Sequence, residues 1–129
     1  EAVMMEVYRV LKPGGLLFFT VPFLWPLHEV PYDQYRYTPY ALERHLSNSG
    51  FNSVKLEALG GWDASLGQIL GLWVRRRKMN RYSKAFLSYI LMPFVWWLYR
   101  NDMRTETNFR ESMMITGIKG TAEKEKMIN

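Results

Sequence analysis

The fold of this chain is decided by one stretch, Lys12-Pro13-Gly14-Gly15-Leu16-Leu17-Phe18-Phe19-Thr20-Val21-Pro22. Proline fixes φ and glycine accepts positive φ, so residues 12–15 predict a tight turn. Residues 16–21 form a short apolar run without alternation, which is typical of a strand covered on both faces. Such strands belong to parallel sheets flanked by helices. The stretch therefore predicts an α/β fold built on a buried strand.

Two helices flank this strand in the sequence. Residues 2–11 carry a helical apolar stripe, and this helix should end before Pro13 because the residue ahead of a proline disfavours the α conformation. Thr38 is a candidate N-cap with Pro39 at the first helical position, and Gly50 is a candidate C-terminal cap. The predicted order is thus helix, turn, strand, loop and helix.

The rest of the chain divides by its local patterns. Residues 51–59 alternate in polarity and predict a second strand. Residues 1–61 then form one α/β unit, and residues 62–104 form a helical segment rich in basic and aromatic side chains. We place a last strand within residues 105–120 and a polar, frayed tail at residues 121–129.

Composition excludes several classes of protein. The chain has 129 residues, 48% hydrophobic and 22% charged, which suits one modest globular domain. It has no cysteine, so disulfide and thiolate chemistry are excluded and a reducing cytoplasm is expected. Its two histidines, His28 and His45, are far apart in sequence, so we expect no metal site. His45 lies in the middle of a predicted helix and is interpreted as structural.

A long loop, residues 22–37, leaves the carboxyl end of the predicted strand. Ligands of open α/β sheets bind outside such strand ends, and a loop of this length in a compact domain is usually functional. The alternative is packing, with Arg36 paired to Asp33 or Glu29. If the loop is functional, its candidate site residues are Trp25, His28, Glu29, Asp33, Tyr35 and Arg36.

Positive charge is concentrated in residues 75–104. They hold eight Lys and Arg residues and one acid, Asp102, a net charge of +7 that leaves −2 for the rest of the chain. Within this segment, residues 85–99 carry no formal charge, and their last four residues include Trp96, Trp97 and a tyrosine. This uncharged run is too short to span a bilayer. Two alternatives remain. A helix pair covers the sheet with its arginines in solvent, or residues 75–104 contact an anionic membrane surface.

The predicted helix that begins near Asp63 has a candidate N-cap and an apolar face. Asp63 is a candidate N-cap. Gly67 and Gly71 are four residues apart and allow another helix to approach closely. The predicted apolar face consists of Leu66, Ile69, Leu70 and Trp73.

Two motifs together resemble a known enzyme family. Arg9-Val10-Leu11-Lys12-Pro13-Gly14-Gly15, followed by an apolar strand that ends in Pro22, resembles the fifth-strand region of class I S-adenosylmethionine-dependent methyltransferases of the type 11 kind. His28-Glu29-Val30-Pro31-Tyr32-Asp33-Gln34-Tyr35-Arg36-Tyr37-Thr38 resembles the loop of a subgroup linked to cell-surface glycan biosynthesis. The resemblance implies the C-terminal part of a three-layer α/β/α Rossmann-like fold. It also implies that the last strand inserts antiparallel beside the fifth and that residues 62–104 are an insertion.

The resemblance also implies a chemistry. S-adenosylmethionine is the co-substrate, and a methyl group passes to a hydroxyl of a glycan or another small acceptor. His28 is the candidate base and Asp33 its catalytic partner, because imidazole exchanges a proton near neutral pH. Substrate-binding roles fall to Trp25, Glu29, Tyr35 and Arg36, since an arginine fork suits an anionic group. The family's Gly-rich cofactor loop would lie upstream of Glu1, so we expect residues 1–129 alone to be inactive.

A second functional class competes with this one. The chain could be a non-catalytic basic and aromatic module that binds an anionic membrane surface through residues 75–104. Nucleic acid is not expected, because the arginines are followed by an apolar run and no strand presents a stacking platform. We expect a cytoplasmic protein and, under the membrane alternative, one at the inner face of the membrane.

Overall fold

The computed structural model describes residues 2–102 and 108–126. Their elements in chain order are α1 (Ala2–Val10), β1 (Leu16–Pro22), α2 (Pro39–Asn48), β2 (Asn52–Leu59), α3 (Trp62–Arg76), α4 (Arg81–Asn101) and β3 (Gly117–Glu123). The strands form one sheet in the order β1–β3–β2, and β3 runs antiparallel to both neighbours. The predicted antiparallel insertion of the last strand beside β1 is confirmed, and β1 and β2 run parallel to each other.

The predicted turn and caps hold the first half of the fold together. Gly14 takes a φ of 72°, and its N–H donates to the Lys124 carbonyl at 3.0 Å. Thr38 caps α2 by accepting from the Ala41 N–H at 3.3 Å. Gly50 follows the end of α2 with a φ of 97°, as its prediction as a C-terminal cap requires. Local sequence signals therefore specify these boundaries correctly.

The core lies between helices α1 and α2 and one face of the sheet. Leu42 and Leu46 on α2 are each 1% exposed, and Ile118 and Ala122 on β3 are both fully buried. Helix α1 packs against this cluster with every third or fourth residue, a helical period that places Met4, Val7, Tyr8 and Leu11 on one side. Burying these apolar side chains is the main stabilising contribution to this half of the fold.

Strand β1 is covered on one face only, so the prediction of a strand covered on both faces is wrong for the described residues. Leu17 and Phe19 pack against the core, whereas Leu16 and Phe18 are 62% and 66% exposed. The apolar run hid this alternation because both faces of β1 are apolar. Periodicity in sequence reports side-chain polarity, and burial depends on which layers are present.

The described residues show two of the three predicted layers, a sheet and helices α1 and α2 on one face of it. The opposite face carries an ion pair between Lys119 and Glu57, at 2.8 Å, and the exposed side chain of Phe18 lies on the same face. Strand β1 is also an edge strand of this sheet.

The last strand and the tail differ from the prediction. Strand β3 runs to Glu123, so part of the predicted tail pairs in the centre of the sheet. The next residue, Lys124, donates from Nζ to the carbonyls of Tyr8 and Leu11 at 2.7 and 2.8 Å and so caps the end of α1. The polar composition of the tail concealed these roles because strand pairing uses the backbone and not the side chain. The last three residues of the predicted tail lie outside the described residues.

Thr116 holds together the two places where the chain leaves the sheet, the start of the loop after β1 and the start of the segment that leads to α3. Its carbonyl accepts from the N–H groups of Phe23 and Leu24 at 3.0 and 3.2 Å, just past the end of β1. Its own N–H and hydroxyl both donate to the Leu59 carbonyl, at 2.9 and 2.7 Å, at the end of β2. One residue before β3 therefore connects the carboxyl ends of the two outer strands.

Helix α3 is capped by a distant residue, and the prediction of Asp63 as its N-cap is wrong. Gly61 occupies the N-cap position, and Asp63 lies in the first turn. The Asp102 carboxylate accepts from the Gly61 N–H at 2.8 Å and from the Ala64 N–H at 2.9 Å. Asp102 follows α4, so the end of one helix of the pair satisfies the beginning of the other.

Helices α3 and α4 pack as a hairpin, with the inner surface of α3 formed by small residues. A Cβ at Gly67 would lie 3.3 Å from the Tyr99 ring, so close approach by α4 is confirmed there, whereas Gly71 has no such neighbour. The predicted apolar face is not the packed one, because Leu66, Ile69 and Trp73 are 41–46% exposed. The predicted insertion boundary at Arg104 lies outside the described residues.

Candidate active-site loop

Asp33 is the centre of the loop that follows β1. Its side chain is only 6% exposed, and its Oδ2 accepts from the His28 backbone N–H at 3.0 Å. The ring Nδ1 of His28 lies 3.1 Å from the same oxygen. The Arg36 guanidinium donates to both carboxylate oxygens. The structure thus brings together three of the six predicted site residues.

The fork of Arg36 is used inside the loop. Besides its two bonds to Asp33, it donates to the Tyr35 carbonyl at 3.2 Å and to the Pro26 carbonyl at 3.4 Å. The pairing of Arg36 with Asp33, which the sequence left as an alternative, is present. These hydrogen bonds of the guanidinium connect separate parts of the loop to one another. The predicted contact of Arg36 with an anionic acceptor stays a prediction.

Electrostatics fix the protonation of the cluster. The Arg36 guanidinium, followed by the His28 backbone N–H, holds the pKa of the Asp33 carboxyl well below its usual range. The same contact raises the pKa of Arg36. An ionised carboxylate can only accept, so Nδ1 of His28 must carry the proton in this contact. In the neutral ring Nε2 is then left as an acceptor, and the side chain is 48% exposed.

The other predicted residues lie around this cluster. Glu29 is exposed with a φ of 51°, and its carbonyl accepts from the Tyr32 N–H at 2.8 Å in a turn whose Val30–Pro31 bond is cis. Tyr35 is 71% exposed and stacks on Tyr37 with ring centroids 6.3 Å apart. Glu29 and Tyr35, two of the four predicted substrate-binding residues, are therefore accessible.

The His45 interpretation as a structural residue agrees with its contacts. Tyr37 meets the His45 ring edge-on, with centroids 5.7 Å apart. His45 lies on α2 beside the buried Leu42 and Leu46, and its Nδ1 is buried. The two histidines of the chain therefore have different surroundings: one faces an ionised carboxylate and the other an aromatic ring.

Trp25 lies in a cavity that sequence reasoning missed. The cavity has a volume of about 510 Å³, with one wall from the loop and one from α3. It is mostly apolar, with Arg76 as its one charged lining residue among the described residues. Its lining is Leu24, Trp25, Pro26, Ile69, Leu72, Trp73 and Arg76.

A side-chain hydrogen bond connects helix α3 to the loop. Nε2 of Gln68 donates to the Leu24 carbonyl, and the two residues are 44 apart in sequence. The cavity adjoins the polar cluster, because Pro26 lines it and its carbonyl accepts from Arg36. The predicted apolar face of α3 was the sequence signal for this wall, and the sequence left open what covers that face.

The described residues offer neither a metal site nor a membrane-spanning helix. Within residues 2–102 and 108–126, no three His, Cys, Asp or Glu side chains are grouped so as to hold a metal ion. Over the same residues, no helix combines the length and apolar character needed to cross a bilayer.

Comparison with known proteins gives one similarity. No family model matches the chain, and no curated protein matches it. A solved structure of Haemonchus contortus phosphoethanolamine N-methyltransferase 2, in complex with phosphomonomethylethanolamine and S-adenosylhomocysteine, is similar with a TM-score of 0.42 and 17% identity. The match covers 96% of this chain but only 29% of that protein, and this TM-score is too low to establish a shared fold.

Proposed function

We propose that this chain is the acceptor-side part of an S-adenosylmethionine-dependent methyltransferase that acts on a hydroxyl of a glycan or another small molecule. The sheet order supports this, because the last strand lies antiparallel between two parallel strands. The resemblance of the fifth-strand region implies this insertion. The exposed Leu16 and Phe18 on the uncovered face suit a further layer of a Rossmann-like domain.

The observation that carries the proposal is the contact between His28 and the ionised Asp33. A hydroxyl loses its proton as it takes the methyl group, and a positioned base can accept that proton. Asp33 holds Nδ1 of His28 as the donor, which leaves Nε2 free to accept. Asp33 also stabilises the imidazolium that forms, because it remains an anion. Arg36 keeps Asp33 ionised. The role of Arg36 is therefore to position Asp33.

The neighbouring surfaces suit an acceptor with an apolar or ring-shaped part. Trp25 is 44% exposed at the cavity and offers an aromatic face to a ring. Glu29 and Tyr35, both exposed, can hydrogen-bond hydroxyl groups of a sugar. Positioning of the acceptor by these contacts would provide much of the catalysis, since orientation alone can lower a barrier by several kcal/mol.

The described residues offer no cradle for the adenosyl group. The glycine pair of this chain, Gly14 and Gly15, precedes a strand, whereas a phosphate- or nucleotide-binding glycine turn follows a strand and opens a helix. We therefore assign no cofactor-binding residue. In this proposal the cofactor contacts come from residues upstream of Glu1 in the intact enzyme.

The test is a substitution of His28 in the intact enzyme, assayed with labelled S-adenosylmethionine. His28→Gln should lower kcat by about 10²-fold, because the proton acceptor is lost, and should leave affinity for the co-substrate unchanged. His45→Gln is the matched control and should keep kcat within about twofold.

Wild-type turnover in His28→Gln would contradict the role of this residue as the base. Methyl transfer would then depend on positioning alone. If no transfer from S-adenosylmethionine is found for the wild-type enzyme on glycan or small hydroxyl acceptors, the proposed function itself is wrong.

A further inference from the structure

Helix α4 has two opposite faces with different surroundings. Its inner face packs against α3, where Val95 and Leu98 are 7% and 2% exposed. The helical period places the residues of the opposite face about 180° away, at spacings of three, four and seven. We call this set the outer face; its members are Tyr82, Phe86, Tyr89, Pro93, Trp96, Trp97 and Arg100.

The outer face is aromatic and open along the full length of the helix. Tyr82 and Tyr89 are 82% and 83% exposed, Phe86 is 64% exposed, and Trp96 and Trp97 are 60% and 53% exposed. Scattered exposed apolar residues are normal, but a continuous patch of this kind marks an interaction site. No described residue covers it.

The charge around this face is predominantly positive. Residues 64–101 contain no Asp or Glu and seven basic residues, a net charge of +7. Five of these basic residues surround the turn between the two helices, namely Arg75, Arg76, Arg77, Lys78 and Arg81. Such a surface repels cationic partners and attracts a dense array of negative charges.

Arginine and tryptophan also occur in pairs on the hairpin. The Arg77 guanidinium lies 5.0 Å from the ring centroid of Trp73, and that of Arg100 lies 5.1 Å from Trp96. A lipid headgroup region accommodates both members of such a pair, because tryptophan prefers the boundary between headgroups and acyl chains and arginine binds phosphate. A protein partner would need a large patch that is both apolar and acidic.

We propose that the outer face of α4 docks onto the surface of an anionic membrane. The helix lies in the plane of the interface, its aromatic side chains enter the headgroup and acyl boundary, and the basic residues of the α3–α4 turn contact lipid phosphates. The inference rests on exposure and charge and does not depend on the proposed methyl transfer.

The experiment is flotation of the purified protein with vesicles of phosphatidylcholine, with and without phosphatidylglycerol. We expect binding to the mixed vesicles, weaker binding at high salt, and a blue shift of tryptophan fluorescence. The double variant Trp96→Ser with Trp97→Ser should lower the vesicle partition coefficient by about tenfold or more, because two interfacial anchors are lost. Tyr89→Ser, at the most exposed position, should weaken binding without affecting folding, as circular dichroism can check.

Further variants distinguish docking through the hairpin from non-specific adsorption to vesicles. Tyr40→Ser removes an exposed tyrosine from α2, which is not part of the hairpin, and should leave the partition coefficient unchanged. Replacing Arg77 and Lys78 by Ala should weaken binding to the mixed vesicles by about tenfold or more, since both basic residues then lose their attraction to the anionic surface.

Three outcomes would overturn the proposal. One is equal binding to vesicles with and without phosphatidylglycerol. Another is no vesicle binding together with self-association that Trp97→Ser abolishes, which would make the outer face a protein interface. The third is tight polynucleotide binding with a steep salt dependence and no vesicle binding.

Discussion

The loop after β1 and the outer face of α4 differ in whether their side chains find partners within the described chain. In the loop, Asp33 is nearly buried and its carboxylate accepts four hydrogen bonds from the same loop. On α4, large aromatic side chains such as Tyr82 and Tyr89 are more than 80% exposed. One region is complete within the chain, and the other has apolar surface that nothing described covers.

This difference indicates what each region is built for. A cluster whose charges are all paired is preorganised, so little reorganisation is required when a ligand arrives. An uncovered aromatic face instead gains free energy when another phase or molecule removes it from water. We therefore expect substitutions in the loop to affect chemistry, and those on the outer face to affect association while leaving the fold intact.

The largest effect on stability should distinguish the two faces of α4. Leu98→Ala removes a side chain that is 2% exposed between the helices and should lower the free energy of unfolding by about 2–5 kcal/mol. Tyr89→Ser on the outer face is the matched control and should change it by less than about 0.5 kcal/mol. Denaturant titration measures both. A similar loss in both variants would mean that the outer face is packed in the native protein.

An intermediate effect should come from the contact between the two ends of the helix hairpin. Asp102→Ala leaves the Gly61 and Ala64 N–H groups without their acceptor and should cost about 1 kcal/mol, or roughly 3–6 °C in Tm. Asp63→Ala removes an acid of the same helix that does not cap it, and should cost less. Thermal melts followed by circular dichroism compare the two variants, and the reverse order would show that Asp63 is the cap after all.

The smallest effect should appear as a pH dependence of the loop. The pKa of Asp33 is lowered in the folded chain, so its contribution to stability is complete above its unfolded pKa of about 4 and is lost as pH falls further. Asp33→Asn should therefore be less stable than wild type at neutral pH, and the difference should shrink below about pH 4. Glu6→Gln removes the exposed Glu6–Arg9 pair and should show little difference at any pH. A gap between Asp33→Asn and wild type that persists unchanged into acid would mean that the ionised carboxylate is not the stabilising species.

Much of the α/β unit could be read from local sequence. The turn at Gly14 and Gly15, the capping of α2 by Thr38 and the alternation of β2 depend on neighbours within a few residues, and backbone conformational preferences act at that range. Strand β1 was predicted at residues 16–21 and observed at Leu16–Pro22. The loop that follows it was also visible in the sequence, because its length and composition are local properties.

Only the tertiary structure decided which residues meet across long separations. The carboxylate that caps α3 is about forty residues from the helix start, and the wall of the cavity beside Trp25 comes from a helix whose exposed face resembled a packing surface. An apolar sequence pattern indicates that a side chain avoids water, but it does not indicate which residues cover that side chain. A carboxylate can likewise pair with any donor that the fold brings near it. The sequence alone therefore determined the elements and the loop composition, while the partners of Asp102, Arg36 and the outer face of α4 depended on how those elements pack in space.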